Sequence, residues 1–204
     1  MQPEQTVFVI DDEEAVRDSI RLMLERRHYA VQAFASAEEF LAACTPQARG
    51  CVVCDVRLKG LSGLDLHRKL VEMDSVLPVV LITGHGDIEM AVAALKRGVF
   101  DFIEKPFDDV RLYASVKNAL EIDRELVAKG EALAALRVRI AELSDRQREV
   151  MELLIDGLSN KEIGKRLGIS PRTVETYRAF VMAKTGASSL AELVKMSIRV
   201  GMRA

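Results

Sequence analysis

No stretch of the chain stays apolar for the roughly 18 residues a membrane helix needs, so no membrane partner is expected. The first residues, Met1-Gln2-Pro3-Glu4-Gln5, lack the basic and then apolar stretches of a secretory leader. Cysteine is scarce and odd in number: Cys44, Cys51 and Cys54. Cys51 and Cys54 form a Cys-x-x-Cys, but inside an extended apolar run, where they point to opposite faces. A metal or redox pair needs turn geometry, so both read as small core residues. Unpaired thiols fit a reducing compartment, the cytoplasm. Histidine is equally scarce. His28 and His67 have no partners at metal-ligand spacing and are expected at the surface, and His85 reads as a loop residue.

What the chain does have is a balance of charge that differs along its length. The formal net charge is −2 over 204 residues, which suits one or two domains. Residues 1–124 carry 15 Lys/Arg and 21 Asp/Glu, a balance of −6, while residues 143–204 carry 11 and 7, a balance of +4. The stretch 125–142 is neutral. An acidic domain followed by a smaller basic one points to a polyanionic partner for the second. The expected boundaries are therefore 1–124, 125–142 and 143–204.

In the first part, apolar runs alternate with amphipathic helices. Residues 6–10, 30–34, 51–55, 78–83 and 101–104 read as strands. The third of them, Cys51-Val52-Val53-Cys54-Asp55, is apolar at four successive positions, as in a strand buried on both faces of a parallel sheet. The intervening segments carry helical faces: Val16, Ile20, Met23 and Leu24; then Phe40 and Leu41, capped by Ser36 with Glu39; then Leu64, Leu66, Leu70 and Val71; then Ala91, Ala94 and Leu95, capped by Asp87 and stopped at Gly98. This is β-α five times over, an α/β fold with a doubly wound parallel sheet. Ligands of such sheets bind at the carboxyl ends of the strands.

That edge gathers Asp11, Asp12, Asp55, Thr83 and Lys105. Three carboxylates held close repel one another unless a cation lies among them. Their hard oxygens suit Mg²⁺, with Mn²⁺ an alternative. A lysine and a hydroxyl at the same edge can hold phosphoryl oxygens. A carboxylate there can attack a phosphoryl donor and form an acyl phosphate. Singly, Asp11 and Asp12 are ordinary helix caps and Thr83 an ordinary strand end. Five such coincidences at one edge argue for a site.

These residues, in these elements, resemble a two-component receiver domain: Asp11-Asp12 after the first strand, Asp55 at the third, Thr83 at the fourth and Lys105-Pro106 after the fifth. The resemblance implies a flavodoxin-like fold with strand order 2-1-3-4-5. It implies that Asp55 accepts the phosphoryl group and that Asp11 and Asp12 serve the metal, Asp12 directly, with the backbone carbonyl of Arg57 completing the ligands. It makes Thr83 and Phe102 the hydroxyl and aromatic that move together on phosphorylation, and it implies a cis Lys105–Pro106 bond.

From residue 108 or 109 a helical pattern runs without a stop signal to Ser144. Leu112, Ala119, Leu126, Leu133 and Ile140 fall seven apart, and Ser115, Ile122, Lys129, Leu136 and Leu143 follow the complementary register, so a coiled-coil seam is one reading. The other is the receiver's last helix followed by a packed linker, with or without a break near Gly130.

The last part reads as four helices. Ser144 and Gln147 form a capping box, and Val150, Met151, Leu153 and Leu154 point inward. Ser159 caps a second helix that buries Ile163 and Leu167. Ser170-Pro171 opens a third with Val174, Tyr177 and Val181 inward. Ser188 caps a fourth with Leu190, Leu193, Val194 and Ile198. A short helix, a turn containing Gly168 and a second helix form a helix-turn-helix pattern.

Gly157-Leu158-Ser159-Asn160-Lys161-Glu162-Ile163, Leu167, Ile169-Ser170, Thr173-Val174 and Lys184 resemble the DNA-binding domain of the LuxR/NarL family. Tyr177 stands where histidine is common in that family, and Thr185 where leucine is common. The recognition helix would span 171–184. Arg172, Glu175, Thr176 and Ala179 share its outer face as base-edge candidates. Lys161, Thr173, Arg178 and Lys184 are candidates for phosphate contacts.

The two parts together resemble the FixJ branch of response regulators, through Thr83-Gly84-His85-Gly86-Asp87, Glu104-Lys105-Pro106-Phe107 and Ser189-Leu190-Ala191-Glu192-Leu193. That implies a transcription factor rather than an enzyme. A sensor histidine kinase would phosphorylate it, it would form a homodimer on phosphorylation through a face including Ala91, Val92 and Leu95, and it would act on promoter DNA and RNA polymerase. Two rivals are a phosphotransfer module whose helical tail binds protein, and a DNA binder indifferent to phosphorylation.

Overall fold

A computed structural model describes residues 5–45, 47–84 and 88–202, with the backbone alone for 88–90. The chain divides into two compact units, Met1–Val127 and Ala128–Ala204.

The first unit is a five-stranded parallel sheet in the order β2-β1-β3-β4-β5. Its strands are β1 (Thr6–Ile10), β2 (Ala30–Phe34), β3 (Gly50–Asp55), β4 (Val79–Thr83) and β5 (Asp101–Glu104). Between them run α1 (Glu14–Glu25), α2 (Ala37–Ala43), α3 (Gly63–Glu72) and α4 (Ile88–Lys96), and α5 (Asp109–Ala141) follows the last strand. Alternate side chains of each strand enter opposite layers. Phe8, Ile10, Val52, Cys54 and Leu81 pack with Phe40, Leu66, Leu70 and Ala94. Val7, Val9, Cys51, Val53, Val80 and Ile82 pack with Ile20, Leu24, Leu112, Val116 and Ala119. Every residue of β3 is buried. Cys51 and Cys54 fall in different layers as unpaired thiols, and burial pushes both above the ordinary thiol range.

The helix starts follow local chemistry. Ser36 Oγ accepts from Glu39 N, but the Glu39 carboxylate reaches one residue further back than a capping box requires, to the N–H of Ala35. Asp108 Oδ1 accepts from Arg111 N at 2.6 Å and so caps α5. The proposed cap Asp87, like His85 and Gly86, lies outside the described residues.

Two surface assignments in this unit are corrected. His67 is buried, not exposed. It belongs to the inward stripe Gly63, Leu66, His67 and Leu70 of α3, and its ring bonds to the backbone of Gly98. Val71, expected inward, is exposed, since it lies about 100° round the helix from Leu70.

The long helix runs through Gly130 without a break. Its heptad positions do not form one seam. Leu112, Ser115 and Ala119 are buried within the α/β unit, and Leu136 and Ile140 belong to a core of the second unit. Only the middle of the pattern, Ile122 and Leu126, leaves large apolar side chains exposed.

The second unit contains α6 (Asp145–Ile155), α7 (Asn160–Leu167), α8 (Pro171–Thr185) and α9 (Leu190–Arg199). One core joins Leu136, Ile140 and Leu143 to Met151, Ile155, Val181 and Leu193. Another joins Val150, Leu153 and Leu154 to Ile163 and Val174. Ser144 and Ser159 both head complete capping boxes, with Gln147 and Glu162, and Ser170 caps α8 with Pro171 in its first turn. The cap of α9 is Ser189, not Ser188, because the helix begins at Leu190; Ser188 instead bonds the Glu192 carboxylate. Ile198, expected inward, is exposed, and its neighbour Ser197 takes the buried position.

Candidate functional site

Strand register brings the first site together. Ile10 pairs with Cys54 and Asp55 with Ile82, while Thr83 pairs with Glu104. Asp11 and Asp55 therefore stand side by side at the carboxyl edge, with Thr83 one step on and Lys105 two. Asp11, Asp55 and Thr83 are all buried.

Lys105 holds the centre. Its Nζ donates to Asp55 Oδ2 at 2.6 Å and to Asp11 Oδ2 at 3.2 Å. Its own N–H donates to the Thr83 carbonyl at 2.6 Å, and the Lys105–Pro106 bond is cis. The other carboxylate oxygens accept backbone donors: Asp11 Oδ1 from Glu13 N and Asp55 Oδ1 from Arg57 N, each at 2.9 Å. Burial raises the Asp11 carboxyl above its usual range, against the pull of the Glu13 N–H and Lys105. Burial works against the charge on Lys105, but its bond to Asp55 and the charges of the two carboxylates outweigh it and hold the ammonium above its ordinary value.

Asp12 lies further out, paired with the exposed Lys59 at 3.2 Å. Carboxylate and carbonyl oxygens are the hard donors that Mg²⁺ prefers. Among the described residues, no three carboxylate, imidazole or thiol groups stand together in metal-holding geometry; the neutralising charge present is Lys105. Phe102 packs half-buried against the layer that contains Leu81, its register partner on β4.

The second site is the outer surface of α8. Arg172, Thr173, Glu175, Thr176 and Ala179 are exposed along it, as is Lys161 on α7, and Arg178 is half-buried. Val174 and Val181 anchor the opposite side. The turn before α8 is tight: Gly168 sits at φ 66°. A Cβ on Gly164 would come within 2.7 Å of the Ile169 carbonyl, so glycine lets α7 approach the turn closely. Thr173 Oγ1 hydrogen-bonds Ser170 Oγ at 2.7 Å. Tyr177 is half-buried against the α6–α7 core. Thr185 is fully buried, its hydroxyl donating to the Val181 carbonyl at 2.8 Å. Lys184 donates to the Glu142 carbonyl at 2.7 Å.

Several groups escaped the sequence reading. Phe180 is exposed on α8, four residues after Thr176 and so on the same face, a spacing that could have found it. Gly164 had no φ or turn signal. Asp101, which forms a two-pronged ion pair with Arg111 and accepts from Ser115 Oγ, was read only as a strand residue. The fully buried Asp123 binds Arg49 and Gln5 across more than seventy positions of chain, and nothing local marks it.

Residues 7–117 match the family model of the response regulator receiver domain, and residues 141–197 that of the luxR family of bacterial regulatory proteins. The chain is 47% identical over 197 residues to the transcriptional regulatory protein FixJ of Bradyrhizobium diazoefficiens, covering 96% of each. It is 43% identical to FixJ of Rhizobium meliloti, covering 97% of each. Among solved structures, the response regulator StyR matches with a TM-score of 0.81 at 36% identity, covering 96% of this chain and 99% of that one. Full-length FixJ from B. japonicum matches with a TM-score of 0.59 at 44% identity, covering 98% of each. The chain belongs to the FixJ-type response regulators, transcriptional regulators rather than enzymes, which join a receiver domain to a LuxR-type DNA-binding domain.

Proposed function

We propose that Asp55 is the phosphoacceptor through which a sensor histidine kinase controls this regulator. The observation that carries the reading is the Lys105 ammonium, 2.6 Å from Asp55 and 3.2 Å from Asp11 at one buried strand edge. An Asp55 carboxylate oxygen forms a bond to phosphorus, the bond from phosphorus to the donor's leaving group breaks, and an aspartyl phosphate results. Lys105 and the Thr83 hydroxyl take the new phosphoryl oxygens. Asp11, Asp12, Asp55 and the Arg57 carbonyl would hold Mg²⁺ or Mn²⁺, which would supply positive charge for phosphoryl transfer.

Phosphorylation adds negative charge at an edge already crowded with carboxylates. Thr83 and Phe102 shift in response and alter the face of α4 and β5. Val92 and Leu95 are 45% and 47% exposed there, and with Ala91 they give an apolar patch for a homodimer. Two joined copies bind two half-sites with raised avidity. Arg172, Glu175, Thr176 and Ala179 read base edges, while Lys161, Thr173 and Arg178 bind phosphates. RNA polymerase is the downstream partner and the cytoplasm the working compartment, in keeping with three unpaired thiols. No helix among the described residues is long and apolar enough to cross a membrane.

The functional division follows 1–124, 125–142 and 143–204. Two compact units that divide at Val127 and Ala128 support an N-terminal and a C-terminal part, while most of the middle segment falls in the second unit, with Leu136 and Ile140 in its core. The test is Asp55→Asn. With acetyl phosphate and Mg²⁺, the unaltered chain takes up one hydroxylamine-labile phosphoryl group and the variant none; labelling of the variant at such a site overturns the assignment. A gel-shift series over salt separates DNA binding, which weakens steeply with salt, from a protein-binding tail.

A further inference from the structure

Helices end with carbonyls that have no partner inside the helix, and they carry partial negative charge there. In the helical unit the ends of α5, α7 and α8 are matched with cations. Arg139 Nη1 donates to the carbonyl of Thr185, the last residue of α8, at 3.1 Å. Lys184 Nζ donates at 2.7 Å to the carbonyl of Glu142, the residue after α5. Each cation lies near the C-terminal end of its own helix and binds the C-terminal end of the other's. The seat is close: a Cβ on Gly186 would come to 3.0 Å from Arg139 Nη1. Beneath the two bonds, Leu136, Ile140 and Leu143 share a core with Val181 and Ala187.

We infer that Arg139 and Lys184 form a reciprocal clasp that sets the pitch of the recognition helix, and that both are positioning residues for DNA reading rather than phosphate contacts. The inference rests on the reading of α8 as the helix that enters the groove. At 15 residues α8 is about 22 Å long, and its base-edge candidates begin at Arg172, near the end away from the clasp. Recognition geometry has to hold to about 0.5 Å. A small swing at the clasped end is therefore enlarged where bases are read, whereas phosphate contacts spread over the surface tolerate it. Its place on the recognition helix makes Lys184 a phosphate candidate by sequence, but its ammonium is occupied at a carbonyl within the domain.

The test measures affinity of the full chain, with acetyl phosphate and Mg²⁺, for two duplexes over a salt series. One is the tightest-binding duplex selected by the unaltered chain from a random library, and the other is a random-sequence duplex of the same length. Arg139→Ala and Lys184→Ala are expected to weaken binding to the selected duplex about tenfold and about fivefold, to leave the random duplex within twofold, and to leave the salt slope unchanged. Arg139→Lys, which keeps a cation at the Thr185 carbonyl, should recover most of the loss. By contrast, Lys161→Ala or Arg178→Ala should weaken both duplexes and reduce the slope by about 0.9, the signature of one lost phosphate contact.

A slope reduced by about 0.9 in Lys184→Ala makes it a phosphate contact and overturns the clasp. So does an unchanged preference for the selected duplex in Arg139→Ala. If Arg139→Ala loses helix content by circular dichroism, Arg139→Lys and Lys184→Ala decide by the same criteria. Failure of the underlying reading looks different: Arg172→Ala would then leave the selected duplex as tightly bound as before.

Discussion

The two units handle charge in opposite ways. Among the described residues, the buried carboxylates Asp11, Asp55 and Asp123 all lie in the α/β unit, while the buried polar side chains of the helical unit are the neutral Thr185 and Ser197. The α/β unit keeps charge inside and balances it with Lys105 at one end of the sheet and Arg49 at the other. The helical unit keeps charge outside, or turns it onto helix-end carbonyls, as with Arg139, Lys184 and Arg146, which donates to the Leu167 carbonyl. A buried charge is sensitive to any change in its surroundings. A surface cation on a neutral frame is not. The first arrangement suits a unit that must respond to an added phosphoryl group, and the second a unit that must present one fixed shape.

The strongest way to break this contrast is to remove a buried charge far from the Asp55 edge. Asp123 is fully buried, with its carboxylate 3.2 Å from Arg49 and 2.6 Å from the Gln5 amide. Asp123→Ala strands the Arg49 guanidinium and should cost the α/β unit about 4 kcal/mol. Hydrogen exchange followed peptide by peptide should place the loss in β1, β3 and the start of α5. If protection there is unchanged, the internal charges are not what holds this unit. The helical unit should break through its apolar core instead. Ile163 is fully buried among Val150, Leu154 and Val174, and Ile163→Ala should cost about 3 kcal/mol, read as lost protection in α7 and α8.

The same contrast explains what could be read from the chain alone. Strands showed because β3 is buried on both faces and must be apolar throughout. Helix starts showed because Ser144, Ser159 and Ser170 solve a local problem with local residues. The edge site showed because strand register carries Asp11, Asp55, Thr83 and Lys105 to one place once the β-α order is known. Pairings across long stretches of chain did not show. Asp123 with Arg49, Arg139 with Thr185, and Asp101 with Ser115 each join ordinary residues whose partner is set only by packing. His67 differs from these: the spacing of Gly63, Leu66 and Leu70 along α3 already puts position 67 on the inward face.

The smallest effect sharpens the contrast within the α/β unit itself, where one buried and one partly buried acid should respond to pH with opposite sign. Burial tends to raise Asp101, but the bonds from Arg111, Ser115 and the Phe102 N–H outweigh it and hold its carboxyl below the usual range. A carboxylate depressed on folding stabilises above its unfolded pKa of about 3.9, and that contribution disappears as pH falls through the lower folded value. Asp11 is raised on folding, chiefly by burial, so its ionisation opposes folding as pH rises above about 3.9. Arg111 is half exposed, which screens its pair with Asp101. Asp101→Asn should therefore cost only about 1 kcal/mol at pH 7, and the gap from the unaltered chain should close as pH falls below about 4. Urea midpoints of the α/β unit across pH 3 to 7 measure this. A gap that stays constant over that range would mean that Asp101 acts through the shape of its hydrogen bonds and not through its charge. Charge would then matter to the stability of this unit only at Lys105 and Arg49.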